Sequence, residues 1–497
     1  MLTRLTKASA TTHAIALTLG AIYCLGFAPI GLWPATVIAI AGLFVLLEKN
    51  WNLNPGLLVW AFGVGKYGLG ASWVYVSINV YGGASPLLAG VLVVLFVCFA
   101  AWLFCWPLGW LYGKLRRKDQ PVANVLIFVA SWILMDWLQT WFLTGFPWLY
   151  AANGLLDTVF AAWLPVFGII GASGLLVLSA TSLWLTLQPA TRAKGWSFVL
   201  LPWLLGFGLN FVEWIELGET KRVALVQGNI DQAVKWRQDQ AIPNYQKHLQ
   251  LSENAWDADL LVWPEAAITV YPQRAGVWLE ELTQQSLATD TNMIVGIPGV
   301  TQVGDRYEFY NLALGLGEAK GRFAKHHLVP FGEYVPLEGL LRGLIGFFDL
   351  PMSSMSAGRA DQSNIKTTFG EIAMAICYEV AYPESMRRSA KSAALLATIS
   401  NDTWFGASFG PHQHMEIAQA RALENGRWLV RGTNNGITGI VDHRGRIVDR
   451  LPQFESGTLL GEVRVSSGTT PYGYWGHAPV FSYLLVMLAV SLMRRSR

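Results

Sequence analysis

Apolar residues are arranged in two textures along this chain. Through the first 212 positions, and again over the last 20, they form runs of the length that crosses a lipid core as helix, about 17 to 25 residues. Eight such runs stand at roughly 12–28, 34–47, 56–78, 87–112, 122–139, 160–187, 196–213 and 478–493. The first is not expected to be a cleaved leader, because no small-residue cleavage site follows it and a second run begins almost at once. Between them, in 214–477, the apolar positions shrink to short clusters divided by polar and turn-forming residues. These predict strands at 223–226, 260–263, 293–297, 312–316, 372–376, 395–399, 429–433, 437–442 and 458–463. Helical spacing predicts helices at 244–256, 275–289, 382–391 and 411–425. Strands and helices in this order imply an α/β sandwich whose sheets are covered by helices. The expected organisation is a multi-span α-helical membrane domain over 1–213 with seven spans, an α/β domain over 214–477, and an eighth span with its tail over 478–497.

Charge gives the topology. Arg4 and Lys7 precede the first run and Lys49 follows the second. Lys114, Arg116, Arg117 and Lys118 follow the fourth, Arg192 and Lys194 the sixth, and Arg494, Arg495 and Arg497 the eighth. If all eight cross, every cluster falls on one side, and the alternate loops 29–33, 79–86 and 140–159 hold no Lys or Arg. Basic loops stay in the cytoplasm, so 214–477 is expected outside the cytoplasmic membrane. Composition agrees, with 53% hydrophobic and only 14% charged residues. A net charge of +3 offers no electrostatic footing for nucleic acid.

Of four cysteines, Cys24, Cys98 and Cys105 sit in apolar runs, while Cys377 ends the strand-like Glu371-Ile372-Ala373-Met374-Ala375-Ile376 and precedes Tyr378-Glu379. Without a second cysteine in its domain it is either a filler thiol or a nucleophile. A strand end turning sharply is where nucleophiles are exposed, with the next backbone N–H, that of Tyr378, available to an oxyanion. A second motif, Leu261-Val262-Trp263-Pro264-Glu265, ends a hydrophobic strand in a carboxylate whose part-burial would raise its pKa toward that of a general base. A third, Lys325-His326-His327-Leu328-Val329-Pro330-Phe331-Gly332-Glu333-Tyr334-Val335-Pro336, surrounds a lysine with residues that stiffen the backbone. Such a lysine can stabilise an oxyanion and lower the pKa of a nearby thiol. His326 with His327, and His412 with His414, lack a third ligand in the pattern, so no metal site is expected. The segment Leu340-Leu341-Arg342-Gly343-Leu344-Ile345-Gly346-Phe347-Phe348-Asp349-Leu350-Pro351-Met352 is apolar and too short to cross a membrane. It reads as a buried core helix or, given its place between two motifs, as an interfacial flap over a site.

Glu265, Lys325 and Cys377, in that chain order, resemble the triad of the nitrilase superfamily, whose fold is an αββα sandwich. Attached to membrane spans, this domain resembles the apolipoprotein N-acyltransferase family over the whole chain. Supporting strings are Val226-Gln227-Gly228-Asn229-Ile230, then Lys235-Trp236, and Ser400-Asn401-Asp402-Thr403-Trp404-Phe405-Gly406. Phe323 departs from the Tyr more usual in the family two residues before the lysine.

The resemblance implies acyl transfer from a phospholipid donor to the N-terminal amine of the diacylglyceryl-cysteine on an apolipoprotein, through a thioester on Cys377. It implies no cofactor and a monomer. Glu265 would be the base and Lys325 the oxyanion partner, with Glu333, Tyr378 and Glu379 in support. Trp236, Phe347 and Phe348 would meet the lipid. Two alternatives differ in class. A membrane-tethered nitrilase-type amidase leaves eight spans unexplained, since one anchor suffices. A transporter with an outer sensing domain would place ionisable residues in mid-membrane, for which Lys66 and Asp136 are the clearest candidates.

Overall fold

The structure is a computed structural model that describes residues 7–336 and 354–493. The chain forms two compact units, one of Met1–Tyr75, Ser85–Val212 and Tyr474–Arg497, the other of Val76–Ala84 and Glu213–Gly473.

The first unit is helical. Helices occupy each of the eight long apolar runs: Lys7–Tyr23, Trp33–Lys49, Pro55–Gly70, the stretch Pro86–Leu115, Pro121–Leu138, Leu164–Thr186, Arg192–Leu209 and Ala478–Met493. The third ends at Gly70, short of the expected position 78, and Val76–Ala84 is counted with the second unit. Several starts are written in the sequence. Asn54 and Ser85 cap the helices that open with Pro55 and Pro86, where the proline costs no hydrogen bond. Among the described residues, four helical stretches are long and apolar enough to cross a membrane: Ser9–Gly26, Pro86–Leu115, Pro121–Leu138 and Val159–Thr186. Trp33–Lys49 and Pro55–Gly70 have 17 and 16 residues, about 25 Å of helix against a hydrocarbon core of about 30 Å. The interior of this unit holds Lys66, fully buried, with its ammonium 5.5 and 5.2 Å from the ring centres of Tyr23 and Tyr67. Beside it, Tyr67 donates to Gln139 at 2.7 Å, and Gln139 donates to Asp136 at 3.2 Å.

The second unit is an αββα sandwich, the architecture expected. One sheet has the order β12-β1-β2-β3-β4-β5 and the other β11-β10-β9-β8-β7-β6. The strands are β1 (Ile215–Gln227), β2 (Leu260–Val262), β3 (Asn292–Val303), β4 (Arg306–Gly317), β5 (Arg322–Ala324) and β6 (Ile365–Thr367). They continue with β7 (Gly370–Ile376), β8 (Ala393–Ser400), β9 (Leu429–Thr433), β10 (Gly439–Val441), β11 (Ile447–Arg450) and β12 (Gly457–Gly468). Each sheet repeats one plan: three central parallel strands, β1-β2-β3 and β7-β8-β9, flanked by antiparallel ones. Sequence comparison of the halves does not reveal this likeness, because it lies in strand order and direction. The central strands read as nearly unbroken apolar runs because both of their faces are covered. Sheet packs on sheet through β1 on β9 and β4 on β7. Helix Gly276–Ala288 and helix Ala241–Leu251 cover the first sheet, inserting Leu282 and Tyr245 into a core with Val226, Leu261, Trp263 and Val295. Helices Pro383–Ala390 and Gly410–Asn425 serve the second sheet.

Candidate active site

Glu265, Cys377 and Asn401 all follow the C-terminal ends of central parallel strands, β2, β7 and β8, the usual location of a site in such sheets. After β2 the chain turns through Ala266 at φ 48°. This turn lies tight against β3, where a side chain in place of Gly296 would run into the Pro264 carbonyl. One carboxylate oxygen of Glu265 accepts from Asn311 Nδ2 at 2.6 Å, and the other from the Asn401 backbone N–H at 2.6 Å. The residue is thereby held from both sheets. Burial raises its pKa; Lys325, Asn311 and Lys235 pull the other way, and Glu333 adds to the rise.

After β7, Cys377 itself takes φ 55°, a left-handed conformation that costs a side-chain-bearing residue about 1–2 kcal/mol. It opens a 3₁₀ turn, Cys377–Ala381. The turn is held by Glu379, whose Oε2 accepts from the Ile376 N–H at 2.9 Å. Its Oε1 accepts from the N–H groups of His326 and His327 at 2.6 and 3.0 Å. One buried carboxylate therefore staples the residue before Cys377 to the residue after Lys325. Burial pushes the Glu379 carboxyl up to about 7, against the pull of these N–H donors and of Lys325. The same two segments meet again where His327 stacks on Tyr382, ring centres 3.9 Å apart and planes within 4°. Tyr378 is buried and packs edge-on to Tyr382.

Lys325, 1% exposed, donates to Glu333 Oε1 at 2.7 Å, while Glu333 Oε2 accepts from the Val329 N–H at 2.8 Å. Burial works against the ammonium, but Glu333, Cys377 and Glu265 outweigh it and Lys325 is held above the ordinary lysine range. The Cys377 thiol senses Glu265, Lys325 and Asp402 and meets the Ser400 hydroxyl. Lys325 pulls the thiol down as expected, but it does not set the balance. Burial first and then the Glu265 charge push it up to about 12, and Lys325 only moderates the rise. The resting group is a thiol beside a carboxylate, so the site needs a base to make its nucleophile.

Behind Cys377 lies a buried cluster that sequence reading passed over. His414 Nε2 donates to the Cys377 carbonyl at 3.1 Å, and its Nδ1 lies 2.9 Å from Arg431 Nη2 and 3.1 Å from Asp402 Oδ1. Arg431 donates to Asp402 Oδ2 at 2.7 Å, and Ser400 to Oδ1 at 2.6 Å. Burial works to raise Asp402, but Arg431, His414 and Ser400 win and hold it below the carboxylate range.

The geometry brings together Glu265, Lys325, Cys377, Glu333 and Glu379. Trp236 is half-buried just past the short helix Gln232–Lys235, and among the described residues its indole N–H has no partner. Phe347, Phe348 and the rest of the 340–352 segment lie outside the described residues. Residues 222–471 match the carbon-nitrogen hydrolase family model, and residues 19–182 match that of the apolipoprotein N-acyltransferase N-terminal domain. Apolipoprotein N-acyltransferase of Pseudomonas putida is 41% identical over 490 residues, 97% of this chain and 96% of that protein. The protein of the same name from Vibrio parahaemolyticus is 38% identical, over 96% of each. The chain belongs to the apolipoprotein N-acyltransferase family.

Within that family framework, the supporting strings gain structural reasons. Asn434 accepts from the N–H groups of Asn229 and Ile230 at 2.6 and 3.0 Å, and its own amide donates to Asn401 Oδ1 at 3.1 Å. Asn401 donates in turn to Gln232 at 2.8 Å. The 226–230 and 400–406 strings thus form one network whose output is the N–H on Glu265. In Val76–Ala84, the segment that packs with this unit, Ser77 donates to the Trp404 carbonyl at 2.8 Å, and Tyr81 sits edge-on to the Trp404 ring at 5.7 Å.

Proposed function

We propose that this protein moves a fatty acyl chain from a phospholipid to the N-terminal amine of the diacylglyceryl-cysteine on an apolipoprotein, by way of a thioester on Cys377. The carrying observation is the Glu379 staple. It ties the lysine loop to the nucleophile turn, in a unit whose companion is made of apolar helices and in a chain that belongs to this family along its length.

Glu265 takes the proton of the Cys377 thiol, and the thiolate attacks the donor ester carbonyl. Lys325, kept cationic and aimed by Glu333, balances the charge that develops on the carbonyl oxygen. The C–O bond breaks, Glu265 returns the proton to the leaving glyceryl oxygen, and lysophospholipid departs. In the second half, the acceptor amine attacks the thioester and gives a proton to Glu265. The C–S bond then breaks, and the departing thiolate recovers that proton. Each half is proton-neutral, and one carboxylate serves both. A base with a raised pKa suits this, since it must give its proton back as readily as it takes it. Tyr378 keeps its expected part through the turn, and Trp236 lines the approach of the lipid, with Phe347 and Phe348 completing the apolar cover.

The topology follows the basic loops: seven spans in 1–213, the catalytic domain at 214–477 on the periplasmic face, and an eighth span in 478–497, working as a monomer. The helices too short to cross upright are accommodated by bilayer thinning and by the basic residues at their ends. The test is an intact mass of the full-length protein after incubation with phospholipid vesicles, followed by peptide mapping. A fatty-acyl adduct at Cys377 that is discharged by a diacylated lipopeptide is expected; an adduct absent, or discharged only by water, overturns the reading.

A further inference from the structure

Lys235 is a second buried lysine beside Glu265, and the chemistry above makes no use of it. It is 1% exposed, at the end of the short helix Gln232–Lys235, which Asp231 caps through the Ala233 N–H at 2.9 Å. Among the described residues its ammonium has one hydrogen-bond acceptor, the main-chain oxygen of Glu265 at 3.0 Å. A lysine shut away from water ordinarily pairs with an acid or gives up its proton. Burial draws its pKa down to about 8, with the Glu265 charge opposing, so the ammonium survives at neutrality. Its other titratable neighbour, His248, bonds through Nδ1 to the Asn244 carbonyl at 2.8 Å and is lowered to about 4, chiefly by burial, so it carries no charge. The groups facing Glu265 are then Lys325, Glu333, Cys377 and Lys235, with Asn311 and Asn401 as neutral donors. Lys325 is itself claimed by Glu333. Lys235 is the cation whose hydrogen bond goes to the base's own backbone.

We propose that Lys235 is a positioning residue for Glu265: it pins the Pro264–Ala266 turn through the Glu265 carbonyl, and its charge keeps the side chain a carboxylate at neutral pH. The inference rests on the reading of Glu265 as the base that activates Cys377. Without this cation, burial and Glu333 push Glu265 upward against Lys325 and the Asn311 hydrogen bond only, and a larger share of the base is protonated at neutrality.

The test is the rate of iodoacetamide alkylation at Cys377, read by peptide mass on the full-length protein in detergent micelles across pH, with no lipid present. In Lys235→Met the acidic limb should move to higher pH by about one unit, about tenfold slower on that limb. It should rejoin the wild-type plateau at high pH, which also reports an intact fold. Lys235→Arg should restore the wild-type limb. Should the Met variant lose its plateau, Lys235→Gln, which keeps a donor for the carbonyl but no charge, carries the same expected shift. A limb that stays put in the uncharged variant with an intact plateau, or that moves as far in Arg as in Met, overturns the proposal. Absence of a phospholipid-derived adduct on the wild type would overturn the acyl-transfer reading instead, and leaves this alkylation comparison intact.

Discussion

The turn after β2 in one sheet and the turn after β7 in the other each place one reactive group at the end of a parallel strand. In both, a left-handed residue reverses the chain, Ala266 in one and Cys377 in the other. In both, a buried basic side chain takes the main-chain carbonyl of the reactive residue: Lys235 on Glu265 at 3.0 Å, His414 on Cys377 at 3.1 Å. They differ in charge. The Lys235 ammonium stands unpaired by any carboxylate at ion-pair distance among the described residues, whereas His414 is backed by Arg431 and Asp402, which neutralise each other. A base needs a cation to keep its carboxylate ionised in a dry site, while a nucleophile held at positive φ needs a rigid backbone and no surplus charge behind it. The same plan thus carries electrostatic support at one turn and mechanical support at the other.

The largest test of this division removes the nucleophile. Cys377→Ser should abolish the acyl adduct, lowering turnover by at least about 10⁴-fold, because a hydroxyl beside a carboxylate base is a far weaker nucleophile than a thiol. Intact-mass assay with phospholipid checks this, and residual turnover within tenfold of wild type would sink the role of the sulfur. Next comes Glu333→Gln, which leaves the Lys325 ammonium buried without its anion. Breaking one side of a buried pair costs about 3–5 kcal/mol, so both a lower melting temperature and a rate loss of about 10²-fold or more are expected. A variant that melts like wild type would show that Lys325 has another partner. Glu379→Gln should act on coupling between the segments. It replaces one acceptor oxygen by an NH₂ that faces backbone N–H groups, at a cost of about 1–3 kcal/mol. Turnover should fall by about 10- to 100-fold, and hydrogen exchange should rise at both Ile376 and His326. Faster exchange at one alone would mean that Glu379 supports a single loop and is no staple.

Much of this was legible in the chain. Glu265 and Cys377 each end a segment whose pattern predicts a strand, Lys325 opens a rigid loop, and nine of the strands answer to short apolar clusters. The missed strands are β5, β6 and β11. The first two have three residues each, too few to show alternation, and β11 is an edge strand exposed over Val448–Arg450, where the register is set by its neighbour rather than by burial. The polar support was illegible for another reason. Asn311, Asn401, His414 and Arg431 are remote in sequence from the groups they hold, and nothing in a helix or strand period marks a side chain that will find a partner across two sheets. The spacing predicts a helix over 411–425, which carries His414, but the His412 and His414 pattern speaks only to a metal site, and against one. A better signal was present in the burial implied by its setting: a His, a Glu and an Arg on a helix surrounded by Ala, Ile and Met must be satisfied by something inside.

The comparison is sharpened most finely by His414, with the smallest expected effect. Burial first, and Arg431 next, lower its pKa from the ordinary imidazole value, which favours the neutral ring that donates to the Cys377 carbonyl. Removing it should loosen the nucleophile turn without altering the charge on the base. His414→Ala should reduce kcat by about tenfold with KM unchanged, the loss of about one hydrogen bond's worth of alignment, and His414→Gln, which can donate to the same carbonyl, should recover part of it. The sign of the pH effect separates the two turns. Glu265 has a raised pKa, so activity is lost as pH falls through it. That acidic limb should keep its position in both His414 variants and only drop in height, whereas loss of Lys235 slides it toward higher pH. If the His414→Ala limb moves as well, the histidine is acting through charge, and the contrast between an electrostatic and a mechanical support fails at the turn where it was drawn most sharply.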